Sequence, residues 1–406
     1  MKLKLFLFIN MFLCSLLLNA QQIKTIQLRP LNSGEFSAIV PLGSVLKLSF
    51  DDLDGDSKEY QYKIEHMTHD WKPSNLITSQ YVRGFNQNVI NNISNSFNTL
   101  QSYTHYSVEI PNKNTVITKS GNYLISVLTQ DDEVVFTRRC VFYEKAVDVG
   151  VSVYRSRDLV TIDQQQMVQF LINYPNLRIN NPSQEIYVTL LQNYNWDTQI
   201  KGIKPQYYSS HQLLYKYTRE TNFWGGNEYL NFDNKYIRNT SVNISHTRRK
   251  DVYHNYLYTD ESRSLKPYTY YPDINGFFIV RTLDANDNNT ESDYAMIHFS
   301  LAASKPFKNK TVYVYGAFNN FELTNENKMS YNVEKGIYET HFLLKQGFYN
   351  YSYVTVDENG IIDLTEIDGS FYQTENKYTV LVYYKPFGGL YERVIGVGEG
   401  FFNQDK

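Results

Sequence analysis

The sequence predicts an all-β protein of tandem immunoglobulin-like or early-set β-sandwich domains, on three observations. The chain carries 36 Tyr and 24 Phe in 406 residues, set among Val, Ile and Thr in alternating runs that Asn, Gly, Asp and Pro interrupt, the pattern of half-buried strands and turns. Apolar spacing of three and four, which a helix needs, hardly occurs after the first twenty residues. Gly, one residue, then Tyr opens an alternating run three times, in SGNYLISVL (120–128), KGIYETHFLL (335–344) and QGFYNYSYV (346–354). That arrangement is similar to the entry into strand F of an immunoglobulin-like sandwich, where a Tyr hydroxyl pins the preceding corner.

From the N-terminus, MKLKLFLFINMFLCSLLLNAQQ has two lysines, a short apolar run and a small residue, the layout of a cleavable signal peptide (1–20) cut between Ala20 and Gln21. Losing Lys2 and Lys4 takes the net charge from −3 to −5, 37 basic against 42 acidic residues, which excludes a nucleic-acid polycation. Cys140 is then the one remaining thiol, so an exported chain must rest on packed cores without an internal disulfide. In the strand-like EVVFTRRCVFYE it reads as a small buried hydrophobe, not a nucleophile. No second long apolar stretch follows, so no membrane-spanning helix is expected.

The remaining residues suit three domains of about 100 to 150 residues each. The first, 21–145, ends after CVFYEK; its LKLSFDDLDGDSKEYQYKIEH reads as a hairpin about an Asp-Gly turn, and Trp71, closing YQYKIEHMTHDW, is expected to cover the core. The second, 146–301, holds the strand pair around NNPSQEIYVTLLQNYNWD and the Tyr-rich stretch 253–271. LAASKPFKNK, with its Pro and lysines, reads as a linker into the third domain, 302–406.

Catalytic constellations are poor: no nucleophile elbow, zinc-protease helix, phosphate-cradling loop or dinucleotide fingerprint occurs. Asp52, Asp54 and Asp56 have calcium-loop spacing, but Ser57 stands where such a loop needs Gly and Lys63 where it needs a bidentate carboxylate. His66 and His69, three apart on a strand, point to opposite faces. Glu228 and Asp233 read as solvated or loop-capping carboxylates rather than a glycosidase pair. Arg248, Arg249 and Lys250, beside His246 and His254, read as a solvated turn or edge strand. No catalytic residue, cofactor or metal is expected. GAFNNFE (316–322) resembles the G-x-F-N-x-W phrase of starch- and glycogen-binding early-set domains. Phe321 stands where those modules commonly place a stacking Trp, and Trp71, Trp196 and Trp224 all lie outside the third domain. A periplasmic or surface glycan-binding module is therefore the alternative reading, with the sugar platform missing.

A longer pattern spans nearly the whole chain. EYQYKIEHMTHDWKPSNLITSQYVRGF (59–85), SYTHYSVEIPN, SGNYLISVL, NPSQEIYVTLLQNYNWD, WGGNEYLNFD, YYPDINGFFIV, SDYAMIHFSL and LLKQGFYNYSYV together resemble, in one order, the plug protein family of the type IX secretion system. One departure is Met67, where relatives often have Cys. The resemblance implies a non-catalytic periplasmic protein, without cofactor, at the inner face of the outer membrane. It would bind the periplasmic mouth of a very large translocon β-barrel and close it when no substrate is in transit. Exposed Tyr suits a reversible contact, since it offers broad amphipathic area at little rotamer cost. The densest supply is residues 252–278, which makes Tyr253, Tyr256, Tyr258, Tyr268, Tyr270 and Tyr271 the expected partner contacts, with Tyr256 and Tyr258 sharing one strand face and Tyr268 and Tyr270 another.

Overall fold

The computed structural model describes residues 22–283 and 285–402; the expected cleavage site at Ala20 and Gln21 lies outside the described residues. Strand accounts for 49% of the chain and helix for 3%, so the all-β prediction holds. The described residues form two compact units, one of 22–142 together with Asn289–Glu291, the other of 143–283, 285–288 and 292–402.

The first unit is a sandwich. One sheet orders the strands Ile23–Pro30, Leu46–Asp52, Thr104–Ile110 and Asn92–Asn95; the other orders Ile39–Pro41, Val134–Tyr143, Gly121–Leu128, Gln61–Met67 and Gln87–Val89. Strand alternation turns Leu46, Leu48 and Phe50 inward from the first sheet and Tyr62, Ile64, Tyr123 and Ile125 from the second, all essentially without solvent exposure. Phe50 stacks on Tyr106 with centroids 5.1 Å apart, and Tyr123 meets Phe142 edge-on at 5.6 Å. The Tyr123 hydroxyl donates to the Lys119 carbonyl at 2.8 Å, the corner-pinning bond expected of SGNY. Asn289–Glu291 belong to this unit through the Phe97 amide, which donates to the Thr290 carbonyl at 2.9 Å, and the Tyr103 hydroxyl, which donates to that of Asn289 at 3.1 Å.

Two expectations about this unit fail. Leu46–Asp52 and Gln61–Met67 are not a hairpin: the former pairs with Ile23–Pro30 and Thr104–Ile110, the latter with Gly121–Leu128 and Gln87–Val89. Residues 53–60 pass from one sheet to the other, a span of about 10 Å, which this longer connection reaches and a two-residue turn could not. Trp71 does not cover the core. It sits half-buried in a turn at φ 63° with the Arg139 guanidinium 5.0 Å over its ring, while Tyr123 and Phe142 are part of the core.

The second unit contains two sandwich cores. In one, a sheet of Asp148–Arg155, Gln165–Asn173, Gln212–Tyr215 and Tyr207–Ser209 faces a sheet of Asn195–Lys201, Ile186–Gln192, Asn376–Tyr384 and Arg393–Phe402. The strand pair expected around NNPSQEIYVTLLQNYNWD is present as Ile186–Gln192 and Asn195–Lys201, turning at Asn193 and Tyr194 with φ 50° and 58°, the left-handed pair that a tight hairpin needs. Glycines at alternate positions of RVIGVGEGFF let Arg393–Phe402 lie close against Asp148–Arg155: a Cβ at Gly398 would stand 2.5 Å from the Val149 carbonyl oxygen. In the other core, a sheet ordered Ile244–Arg249, Tyr253–Leu257, Tyr294–Ala302, Ile337–Lys345 and Ser330–Asn332 faces a sheet centred on Gly347–Asp357, which pairs with Leu230–Asp233, Phe278–Val280 and Lys310–Tyr315. Phe232, Phe299, Phe342, Tyr349 and Tyr351 fill the space between. Tyr349 repeats the corner of the first unit, its hydroxyl donating to the Lys345 carbonyl at 2.7 Å. The remaining Gly-x-Tyr, in KGIYETHFLL, is different: the Tyr338 hydroxyl accepts the Phe307 amide at 2.8 Å.

The expected division at 301/302 does not coincide with a break between these cores. LAASKPFKNK runs from the end of Tyr294–Ala302 to the start of Lys310–Tyr315 inside one core, with Phe307 packed against it. The strands Asn376–Tyr384 and Arg393–Phe402 return to the preceding core. Alternation marks strands but carries no information on pairing between segments as distant as Ile186 and Tyr384.

Candidate functional site

The six tyrosines expected to meet a partner are placed differently from one another. Tyr253 is in the core. Tyr256 points to the outer face of its sheet but is stacked between His246 and His298, at 4.3 and 4.0 Å. Tyr258 lies just past the end of Tyr253–Leu257 and is 62% exposed. Tyr268, Tyr270 and Tyr271 are on no strand: residues 262–277 form an irregular strap, because Pro267 and Pro272 lack the amide a ladder needs. The expected shared strand faces are therefore absent. On the strap, Tyr270 and Tyr271 are more than half exposed, and Leu265 almost wholly so.

The strap is tied down by carboxylates. The Tyr268 hydroxyl donates to Glu228, which also accepts the Glu375 amide at 3.1 Å. The Tyr270 hydroxyl donates to Glu375 at 3.1 Å. Asp273 accepts the amides of Tyr229 and Asn275. Arg263 pairs with Asp368 at 2.9 Å and donates to the Glu228 carbonyl at 2.8 Å. Nearby, Asp260 accepts the hydroxyls of Tyr351 and Tyr353 at 2.9 and 2.7 Å. Burial disfavours the ionised form and dominates at each acid, raising Glu228 to about 7 and Asp260 and Asp273 to about 6, although the hydrogen bonds they accept pull the other way. Glu228, expected to be solvated or to cap a loop, is 1% exposed because the strap folds over it, and it accepts the Glu375 amide. Sequence reasoning missed this network. Its one local signal is acids embedded in aromatic runs, YLYTDES and YYPDING, and the partners lie far away in the chain.

Beside the strap the chain crosses twice between the two cores of this unit, outward at 225–228 and back at 370–376. The crossings are bonded to each other: the Phe371 amide and Thr374 hydroxyl donate to the Gly226 carbonyl at 2.8 Å each, Asn376 donates to that of Gly225 at 2.8 Å, and Asn227 to that of Asp368 at 2.7 Å. A cleft of about 60 Å³ opens there, lined by Asn193, Asn195, Trp224, Tyr229 and Tyr315 among others, room for a few waters.

Other residues singled out in the sequence resolve into structural roles. Asp52, Asp54 and Asp56 do converge, but around the Lys58 ammonium, which lies 3.0 Å from Asp52 and 3.6 Å from Asp56 and also pairs with Asp54. His66 is buried edge-on to Tyr123 at 5.0 Å, and His69 lies in the turn beyond the strand. Cys140 is buried, which pushes its thiol pKa well above the ordinary range. Asp233 pairs with Lys235 at 2.7 Å. Arg248 and Arg249 are on the expected edge strand, with exposed Lys250 just past its end. Phe321, at the sugar-platform position, is buried against Tyr315, centroids 5.1 Å apart, and offers no open face.

These features define an all-β protein of successive sandwiches whose most conspicuous surface element is a tyrosine-rich strap. The family model described as "Type 9 secretion system plug protein 1st domain" matches residues 23–144. The chain is similar over nearly its whole length to the crystal structure of a hypothetical protein from Parabacteroides merdae ATCC 43184, with 32% identity, 94% of this chain and 97% of that one covered, and a TM-score of 0.90. The chain belongs to the type IX secretion system plug protein family. A trypsin-activated alpha-2-macroglobulin from Escherichia coli aligns at 10% identity over 89% of this chain and 24% of that one, but its TM-score of 0.18 carries no argument. No curated protein matches. Among the described residues, no helix is long and apolar enough to cross a membrane.

Proposed function

We propose that this protein is a non-catalytic periplasmic plug that binds the periplasmic end of the type IX translocon barrel and occludes it between transport events. The match of residues 23–144 to the plug's first domain carries this reading. The second unit's construction supports it mechanically. One core is inserted into the other through two crossings bonded to each other, so bending between them breaks several hydrogen bonds rather than flexing one linker. A body that must fill a wide pore benefits from such stiffness, since an unstructured segment would lose conformational entropy at every closure.

Release must also be possible, which suits an interface near the ordinary total of about 1,600 Å² rather than an obligate one. Of the six candidate tyrosines, Tyr258, Tyr270 and Tyr271 retain the exposed area for such a contact. Capture of tagged protein from detergent-solubilised outer membranes is expected to bring down a giant barrel protein. The double substitution Tyr270→Ala, Tyr271→Ala should weaken that capture about tenfold or more if these side chains are central to the interface. Recovery of no barrel, together with a melting-temperature rise on adding a soluble α-glucan, would instead favour a glycan-binding module.

A further inference from the structure

Four of the chain's eight histidines lie on the outer face of one sheet of the second unit. Alternation turns Tyr253, Asn255 and Leu257 into the core and His254 and Tyr256 out of it, and on the next strand turns Ile297 and Phe299 in and His298 out. The register then sets His246 opposite Tyr256, Tyr256 opposite His298, and His298 opposite His341. The result is a row of rings across four strands, with neighbouring centroids 4.3, 4.0 and 5.1 Å apart.

His254, two residues before Tyr256 on the same face, joins the row from the side. Its Nδ1 lies 2.9 Å from His298 Nε2, and its Nε2 lies 3.8 Å from a carboxylate oxygen of Asp251. We propose that this sheet face binds one divalent transition-metal ion of the imidazole-preferring class, zinc, nickel or copper, between His254 Nδ1 and His298 Nε2.

Two ring nitrogens aimed at each other across 2.9 Å share one proton between two lone pairs. Replacing that proton by a metal at about 2.0 to 2.1 Å from each nitrogen in tetrahedral geometry needs a separation of about 3.3 Å, a few tenths of an ångström more. Both imidazoles stay neutral in the bound form: His254 carries its proton on Nε2 and His298 on Nδ1. Asp251, whose side chain is 88% exposed, lies just beyond hydrogen-bond reach of His254 Nε2; a small rotation toward it would complete the carboxylate–histidine–metal arrangement that fixes a ligating tautomer.

The His341 ring, 5.1 Å from that of His298, can supply a third nitrogen by turning about its side-chain bonds, and water or a donor from another protein completes the coordination. Arg248, whose guanidinium is 5.9 Å from the Tyr256 ring, and Lys250 set a positive field that weakens binding of a dication. The affinity expected is therefore that of a two- or three-histidine surface site, not of a closed structural one. Imidazole donors select zinc, copper and nickel over calcium and magnesium.

The test is calorimetric titration of the full chain, after removal of any affinity tag and of bound metal by chelator. One equivalent of Zn²⁺ is expected to bind, with no heat from Ca²⁺ or Mg²⁺. His298→Ala and, as a conservative variant on the more exposed side, His254→Gln should each weaken binding tenfold or more, with His211→Ala unchanged and the melting temperatures showing that every variant is folded. Absence of saturable Zn²⁺, Ni²⁺ or Cu²⁺ binding, or binding that survives His254→Gln at full strength, would overturn the proposal. This site does not rest on the plug reading: a zinc-binding chain that captures no barrel, or the reverse, separates the two.

Discussion

In the first unit both sheets of the sandwich come from one nearly continuous run, Ile23 to Phe142, whereas in the second unit the sheet begun at Ile186–Gln192 is completed by Asn376–Tyr384, with Ile186 opposite Tyr384. The same strand chemistry is used in both. The route of the chain differs, and with it the way each unit comes apart. A contiguous sandwich can form as soon as its own stretch of chain exists, while an interleaved one must wait for its C-terminal strands and bear the loop-closure entropy of everything between. In return, the second unit's two cores hold each other through paired crossings.

The strongest way to break this comparison is to remove the returning strands. Truncation after residue 371 takes away Asn376–Tyr384 and Arg393–Phe402, including the buried Tyr378, Val380, Val382 and Ile395. Hydrogen exchange should show complete loss of protection over 165–224 while 46–127 keeps its own. Retained protection over 165–224 would mean the interleaving is incidental.

A smaller effect compares the glycines of the two tyrosine corners. A Cβ at Gly347 would stand 2.1 Å from the Ile279 carbonyl oxygen, whereas one at Gly121 would meet the His66 imidazole at 2.2 Å. A carbonyl bonded into a sheet cannot withdraw, and at Gly121 the His66 ring is only 3% exposed and φ is +157°, which is strained for any residue with a side chain. Gly347→Ala and Gly121→Ala are therefore each expected to cost about 3 kcal/mol, by chemical denaturation followed separately for each unit. A cost below about 1 kcal/mol at Gly121 would show that the His66 ring turns aside and the backbone relaxes.

Glu228 gives an effect that depends on pH. Its folded pKa of about 7 exceeds the ~4.3 of an unfolded Glu, so the folded state holds the proton more tightly. That contribution is fully present below pH ~4.3, is lost as pH rises towards 7, and is gone above. Glu228→Gln keeps an acceptor for Tyr268 and Glu375 but does not titrate. Relative to the unsubstituted protein, the variant should gain about 1 to 3 kcal/mol between pH 5 and pH 7.5, read as a difference in melting temperature that widens across this range. Asp260, at about 6, titrates in both proteins and drops out of the difference, while Asp273, also at about 6, interacts with Glu228 through its charge and moves the midpoint of the change without altering its sign. A difference that stays constant would place the Glu228 carboxyl outside the strap's energetics.

Much of this was legible in the sequence, and the missing part has one cause. Tyr123 and Tyr349 were readable as corners, because the acceptor is four residues away in each case. The strand pair around NNPSQEIYVTLLQNYNWD was readable for the same reason, its two strands being neighbours in the chain. The hairpin expected at 46–67 failed because strand signals do not say which sheet a strand joins. The break expected at 301/302 failed because Asn376–Tyr384 bypasses a whole core to reach Ile186–Gln192. At the strap, tyrosine density was visible, but Glu228 beneath Tyr268 and Glu375 against Tyr270 come from 40 and 105 residues away. The row formed by His246, Tyr256, His298 and His341 depends on the register of four strands, which no local window contains.

The smallest effect sharpens the comparison at single-atom level. Removing one hydroxyl by Tyr123→Phe or Tyr349→Phe leaves the Lys119 or Lys345 carbonyl without that donor, while ring packing is unchanged. Each should cost about 1 kcal/mol in its own unit, and because the sites share no partner the two should add. Tyr338→Phe is the contrast, since that hydroxyl accepts from the amide of half-buried Phe307 in the 303–309 loop, where water can take its place. A cost below about 0.5 kcal/mol is expected there. Were Tyr338→Phe as damaging as the other two, the Gly-x-Tyr phrase would matter for burying any hydroxyl at all, and the corner bond from Tyr to the carbonyl four residues back would lose its claim as the feature the two units share.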